Sequence, residues 1–135
     1  MSIVTTLGRD IDILTLNYEA DGDLSGLQYC AVIASGASDA PMKVKAPTAA
    51  GALAVGILQN APTDGLQAEV RVEGVCKAKA YTTFNSGVEL QIADTTGRLT
   101  EASTEDYVVA IAEEASSATN AYVTVRLVSP YQKNA

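Results

Sequence analysis

A chain of 135 residues, 47% hydrophobic and 19% charged, suits one folded domain that buries roughly two-thirds of its unfolded surface. Its net charge of −7 excludes a basic nucleic-acid groove and adsorption to anionic membranes. With no histidine, one phenylalanine and no tryptophan, it lacks the commonest general base and metal ligand, and its core must be built from Val, Ile, Leu and Ala.

Residues 1–26 read as an N-terminal arm. Ile3-Val4 and Ile11 to Leu16 are apolar enough to pair as strands, between Gly8-Arg9-Asp10 and the loose run 20–26. Two readings stand: an arm that adds a strand to another chain, or an edge strand of its own domain. MSIVTTLGRD has no basic segment before an apolar run, so no signal peptide is expected. No apolar run approaches the roughly 20 residues of a membrane span.

Leu27 to Ala34 reads as the first core strand. Met42 to Lys45, fenced by Pro41 and Pro47, reads as an exposed edge strand. Thr48 to Gly51 makes a helical turn or a loop. Ala52 to Leu58 is a continuous apolar run, as in a strand covered on both faces. The turn residues Ala61 to Gly65 lead into Leu66–Tyr81. There the even positions are small or apolar and the odd ones mostly polar, which predicts a long strand with one buried and one wet face. Gly74 interrupts it without changing parity, which suits a bend or bulge. Val88 to Ile92 and Arg98 to Thr100 form a hairpin through Asp94 to Gly97. Tyr107 to Ala112 is again continuously apolar, and Ala121 to Val128 alternates. A barrel or sandwich domain over 27–129 and a short frayed tail over 130–135 complete the division.

Segments 54–72 and 108–127 share a plan, given one inserted residue. Each has an apolar strand, a polar pair (Gln59-Asn60 or Glu113-Glu114), an alanine, a polar loop, and an alternating strand ending Val-Arg-Val or Val-Arg-Leu. The same hairpin is used twice, with too few and too irregular copies for a solenoid. The expected fold is all-β with at most a short helix: a compact β-barrel or sandwich with a duplicated hairpin and an extended N-terminal arm.

No catalytic constellation emerges. A hydrolytic triad would need lysine as base, and no Ser-x-x-Lys occurs. Glu113, Glu114 and Asp64 read as solvated loop carboxylates. Asp21-x-Asp23 lacks the later ligands of a calcium loop. Cys30 and Cys76 read as buried small hydrophobes rather than a disulfide. Lys77 and Lys79 share a strand face with Glu69, Arg71 and Glu73, as solvated or paired charges or as a mixed-charge contact surface. Sitting mid-strand, they do not fit the displayed lysine of a lipoyl or biotin carrier. No enzyme activity, cofactor or metal is expected.

The order of features resembles the small capsid-decoration, or cement, proteins of tailed bacteriophages. The likeness spans about 24–128. It runs from the strand at Gly26 to Ala34, through Ala-Val-Gly-Ile-Leu at 54–58 and the loop ending at Gly65, to Val70-Arg71-Val72-Glu73-Gly74-Val75. The Gly87 and Gly97 turns, the apolar strand near Ala110 and Val123 to Leu127 follow. The chain departs from the pattern at Ala110, where glycine is expected, and in its longer arm. The resemblance implies a non-enzymatic virion protein, made in the host cytoplasm. It would bind the major capsid protein on the outside of the expanded head as homotrimers at local threefold positions. Partners would be the shell and further copies of itself, with no nucleic acid or membrane. The capsid-binding arm is then assigned to Ile3, Val4, Ile11, Ile13, Leu14 and Leu16. The competing expectation is another phage structural module, a tail or connector component, or a generic interaction barrel.

Overall fold

The computed structural model describes residues 10–36 and 42–134, and its regular elements are all strands. They are β1 (Ile11–Ala20), β2 (Ala31–Ala34), β3 (Lys43–Lys45), β4 (Gly56–Leu58), β5 (Gln67–Lys79), β6 (Glu89–Ile92), β7 (Leu99–Glu101), β8 (Tyr107–Ala112) and β9 (Tyr122–Gln132). The all-β expectation holds. All nine belong to one sheet, in the order β1-β3-β2-β4-β5-β9-β8-β6-β7, with β1 also paired to β5.

That extra pairing closes β1, β3, β2, β4 and β5 into a ring. Its interior takes one buried side chain or more from each strand: Ala20, Val32, Val44, Leu58, and Ala68 with Val70, joined by Leu24. A second ring runs β5, β9, β8, β6 and β7 and returns through a parallel bridge from Ala80 to Leu99. Cys76, Ala78, Leu90, Ile92, Leu99, Ala110, Val123 and Val125 belong to its core, with Phe84 at one end. The longest strand is the common wall. Its first half lines one core and its second half the other.

The two rings have the same topology. In each, the first strand pairs antiparallel with the last and parallel with the third, as β1 does with β5 and β3 and β5 with β9 and β7. Matching hydrogen bonds confirm the equivalence. Ala20 donates to Leu66 O at 2.9 Å and accepts from Gly65 N at 2.9 Å, as Ala80 does with Ala121 O at 2.8 Å and Asn120 N at 2.7 Å. Gly65 and Asn120 both take positive φ, 81° and 67°, in the left-handed region that Gly and Asn tolerate best. The predicted hairpins are the closing pair of each ring, β4 with β5 and β8 with β9. Gln59 N donates to Glu69 O in the first, and Glu113 N to Thr124 O in the second. The second residue of each polar pair then reaches the opposite strand: Asn60 Oδ1 accepts from Glu69 N at 3.0 Å, and Glu114 Oε1 from Thr124 N at 2.6 Å.

Gly74 stands where β5 passes from one ring to the other. It has φ 119°, and a Cβ there would overlap the Ile11 carbonyl oxygen. The ladder between β1 and β5 is irregular beside it, with register shifts between Asp12 and Leu14 and between Leu14 and Thr15. The predicted irregularity therefore lies mainly in the pairing with β1, where Ile13 on β1 and then Val72 on β5 are passed over.

Three local expectations are corrected. Met42 to Lys45 is not an edge: β3 lies between β1 and β2, and Val44 is fully buried. Leu27 to Cys30 forms turns rather than the start of a strand, because Tyr29 adopts φ 68°. The chain also stays paired past Ser129, with Val108 opposite Tyr131 and Tyr107 opposite Gln132.

Candidate binding surface

Of the residues assigned to the arm, Ile3 and Val4 lie outside the described residues. The other four fall on β1, where Ile11, Leu14 and Leu16 pair with β5 of the same chain and Ile13 is passed over at the register shift. Strand alternation and the irregularity at Ile13 leave Ile11, Ile13 and Leu14 at 48%, 67% and 40% exposure, with Leu16 half-buried. Among the described residues no strand pairs with the outer edge of β1 from Ile11 to Tyr18. Ile13 also borders a groove of about 320 Å³ with Val72, Val75, Leu127 and Val128, rimmed by Glu73 and Arg126. An unpaired strand edge flanked by exposed isoleucine and leucine side chains is the chemistry that accepts an added strand.

The odd face of β5 carries the charged groups. Arg71 belongs there by parity but is buried, 7% exposed. Its guanidinium pairs with Asp10, lies 3.5 Å from Asp12, and donates to Thr15 Oγ1 and Val75 O. A buried guanidinium needs such partners to offset desolvation, and they fasten the start of β1 across β5. Sequence parity alone misses this, because the covering strand comes from outside the alternating segment.

Further along the same face, Lys77 and Lys79 lie among aromatic rings. Cross-strand register puts Lys79 opposite Tyr122 and Lys77 opposite Thr124. The left-handed turn brings Tyr29 alongside, edge-on to Tyr122 with centroids 5.7 Å apart. Lys77 Nζ lies 5.1 Å from the Tyr29 centroid and 5.6 Å from that of Tyr122; Lys79 Nζ lies 6.0 Å from Tyr122. These are cation–π distances. Tyr29, Tyr122 and Lys77 line a cleft of about 400 Å³ together with Asp10, Gln59 and Glu114, and Lys79 reaches it only through the Tyr122 ring. The lysines were legible from strand parity. The tyrosines were not, since their position depends on the β9 register and on one backbone turn.

The remaining carboxylates hold structure. Glu113 Oε2 accepts from Arg126 at 2.8 Å, Asp64 Oδ1 accepts from Gly22 N, Asp23 Oδ1 from Ser25 N, and Asp21 Oδ2 from the Ser35 hydroxyl. Burial pushes Asp94 up, but hydrogen bonds from the Thr96 hydroxyl and backbone N–H, with Arg98 beside it, outweigh that and hold it below the usual carboxylate range. Among the described residues no three Cys, Asp or Glu side chains converge to hold a metal ion. Both cysteines are buried thiols.

Two fused rings of strands, with an exposed apolar edge and a cation–aromatic cleft, define an all-β protein. The phage cement protein family model matches residues 28–127, and the chain belongs to that family. It is a structural protein of phage, associated with the capsid. In structure it is similar to the N base of head fiber gp8.5 of bacteriophage phi29, with a TM-score of 0.67 and 14% identity over 90% of this chain and 98% of that one. At that identity the likeness speaks for the fold. No curated protein matches the chain.

Proposed function

We propose that this protein binds the outer surface of the expanded phage head and cements neighbouring major-capsid subunits, as homotrimers at local threefold positions. Family membership supports the setting, and the observation that carries the contact is the exposed apolar edge of β1 at Ile11, Ile13 and Leu14. Added shell strands would hydrogen-bond to that edge and bury those side chains, each fully covered aliphatic group contributing roughly 1.5–3 kcal/mol. A ligand that binds only the expanded lattice stabilises that lattice by mass action, and three linked copies multiply the grip. The protein is made in the host cytoplasm and acts without catalysis, its partners being the shell and its own copies.

Co-sedimentation with heads that lack the protein tests this reading. Saturable binding to expanded heads, with little to unexpanded ones, is expected. No binding to either form would overturn it. Truncation through residue 16 would damage the first ring, so the contact is better tested by I11T/I13T/L14T. This variant keeps strand propensity and should lose head binding at least tenfold while melting like the parent.

A further inference from the structure

The internal repeat shows which parts of the cation–aromatic cleft the fold does not demand. Lys77 pairs with Thr124 and Lys79 with Tyr122. The equivalent pairs of the first ring are Asn17 with Glu69 and Glu19 with Gln67. The same scaffold position is therefore neutral or acidic in one ring and basic and aromatic in the other. That contrast sits in a chain with 16 acidic and 9 basic residues. Acidic groups are abundant, yet neither Lys77 nor Lys79 has a carboxylate within 4.0 Å among the described residues, whereas Arg71, Arg98, Arg126, Lys43 and Lys133 each do.

Nor do the cleft's own acidic groups meet the lysines' need. Glu114 is taken up by Thr124 N at 2.6 Å, and Asp10 is paired with Arg71. The Tyr29 and Tyr122 rings hold the ammonium groups over apolar surface by cation–π attraction, which orders long side chains without neutralising them. Two unneutralised ammonium groups, Lys77 lining the cleft and Lys79 against its Tyr122 ring, offer donors for charge-assisted hydrogen bonds to carboxylates. The neighbouring tyrosines and Gln59 can contact the backbone that carries those carboxylates.

We propose that the cleft between Tyr29 and Tyr122 is a docking site for an acidic peptide segment of a partner protein, with Lys77 and Lys79 as its carboxylate-binding residues. Under the function proposed above, that segment belongs to the head shell. This site lies on the second ring, apart from the exposed edge of β1, so one molecule would hold its partner at two chemically different places.

The test is titration of a fluorescent octaglutamate peptide with the full chain at low ionic strength. Saturable binding is expected, weakened at least tenfold in K77Q/K79Q and in Y122S. The charge-matched control K43Q/K45Q should stay within twofold, and thermal melts confirm that the variants fold. No binding by the unmodified protein would overturn the proposal, as would equal loss in K43Q/K45Q, which would mean only general charge attraction. Preference for polyphosphate over octaglutamate would also overturn it, since the site would then be a general anion site. Sedimentation of K77Q/K79Q with expanded heads separates the two readings. If the parent fails to bind heads, the head assignment falls and the peptide titration still decides this site. If parent and variant bind heads equally, the cleft does not face the shell.

Discussion

Cys76 is a thiol whose ionisation is opposed by its place in the second core. It is fully buried; burial pushes its pKa from 9.0 to about 11, against the opposing pull of Arg71 and a hydrogen bond from Gln59. Between these values the unfolded chain releases the thiol proton and the folded chain keeps it. The unfolded state then binds fewer protons, and stability falls as pH rises. The contribution is complete below about pH 9 and lost by about pH 11. At about 1.4 kcal/mol per pH unit, the loss amounts to roughly 2–3 kcal/mol. Denaturant titrations across that range should show the decline, and C76A should flatten it. An identical decline in C76A would assign the effect to other groups. That Cys76 is buried was legible from the parity of residues 66–81. The burial of Arg71 on the opposite parity was not, because Asp12 on β1 and Asp10 just before it reach across to the guanidinium.

Among the elements, the paired hairpins owe their shape to polar residues that a sequence pattern shows only as small polar pairs. Asn60 satisfies two backbone groups of β5, accepting from Glu69 N and donating to Gln67 O at 2.9 Å. Glu114 bonds Thr124 N on β9 with a charged acceptor. Neutral hydrogen bonds contribute about 1 kcal/mol net and charged ones about 1.5–3. N60A, which loses two neutral bonds, and E114A, which loses one charged bond, should therefore each cost about 2 kcal/mol, read from urea midpoints at unchanged m-value. A loss in N60A well below that in E114A would mean that one of the two Asn60 bonds contributes nothing net. The hairpins themselves were readable because strand, polar pair and loop are contiguous. The place of β3 was not: prolines fence an edge strand and a short buried one alike, and only the arrival of β1 on its far side decides between them.

For the whole molecule, the repeat of ring topology was hidden because its two halves share β5 rather than follow one another. The equivalent positions Asn17 and Glu19 against Lys77 and Lys79 have no residue in common, so only the hydrogen-bond ladder reveals them. Sharing a wall should also make the rings unfold together, as small single domains generally do. L58A, at a fully buried site of the first core, should cost about 2–5 kcal/mol. Hydrogen exchange should then show the amides of β8, in the other ring, losing protection by the same free energy as those of β2. Protection retained in β8 alone would show that the rings open separately.

The pairing of β1 with β5 has a mechanical consequence. The ladder runs from Ile11 opposite Val75 to Glu19 opposite Gln67, nearly the whole length of β1. A tug along the axis of β1 would strain its hydrogen bonds in shear, many at once, instead of peeling them one by one. Forced rupture is set by the unfolding rate rather than by equilibrium stability. Under the proposed function, a shell that drags on β1 would thus meet resistance along the strand, and far less if it pulled the same strand sideways.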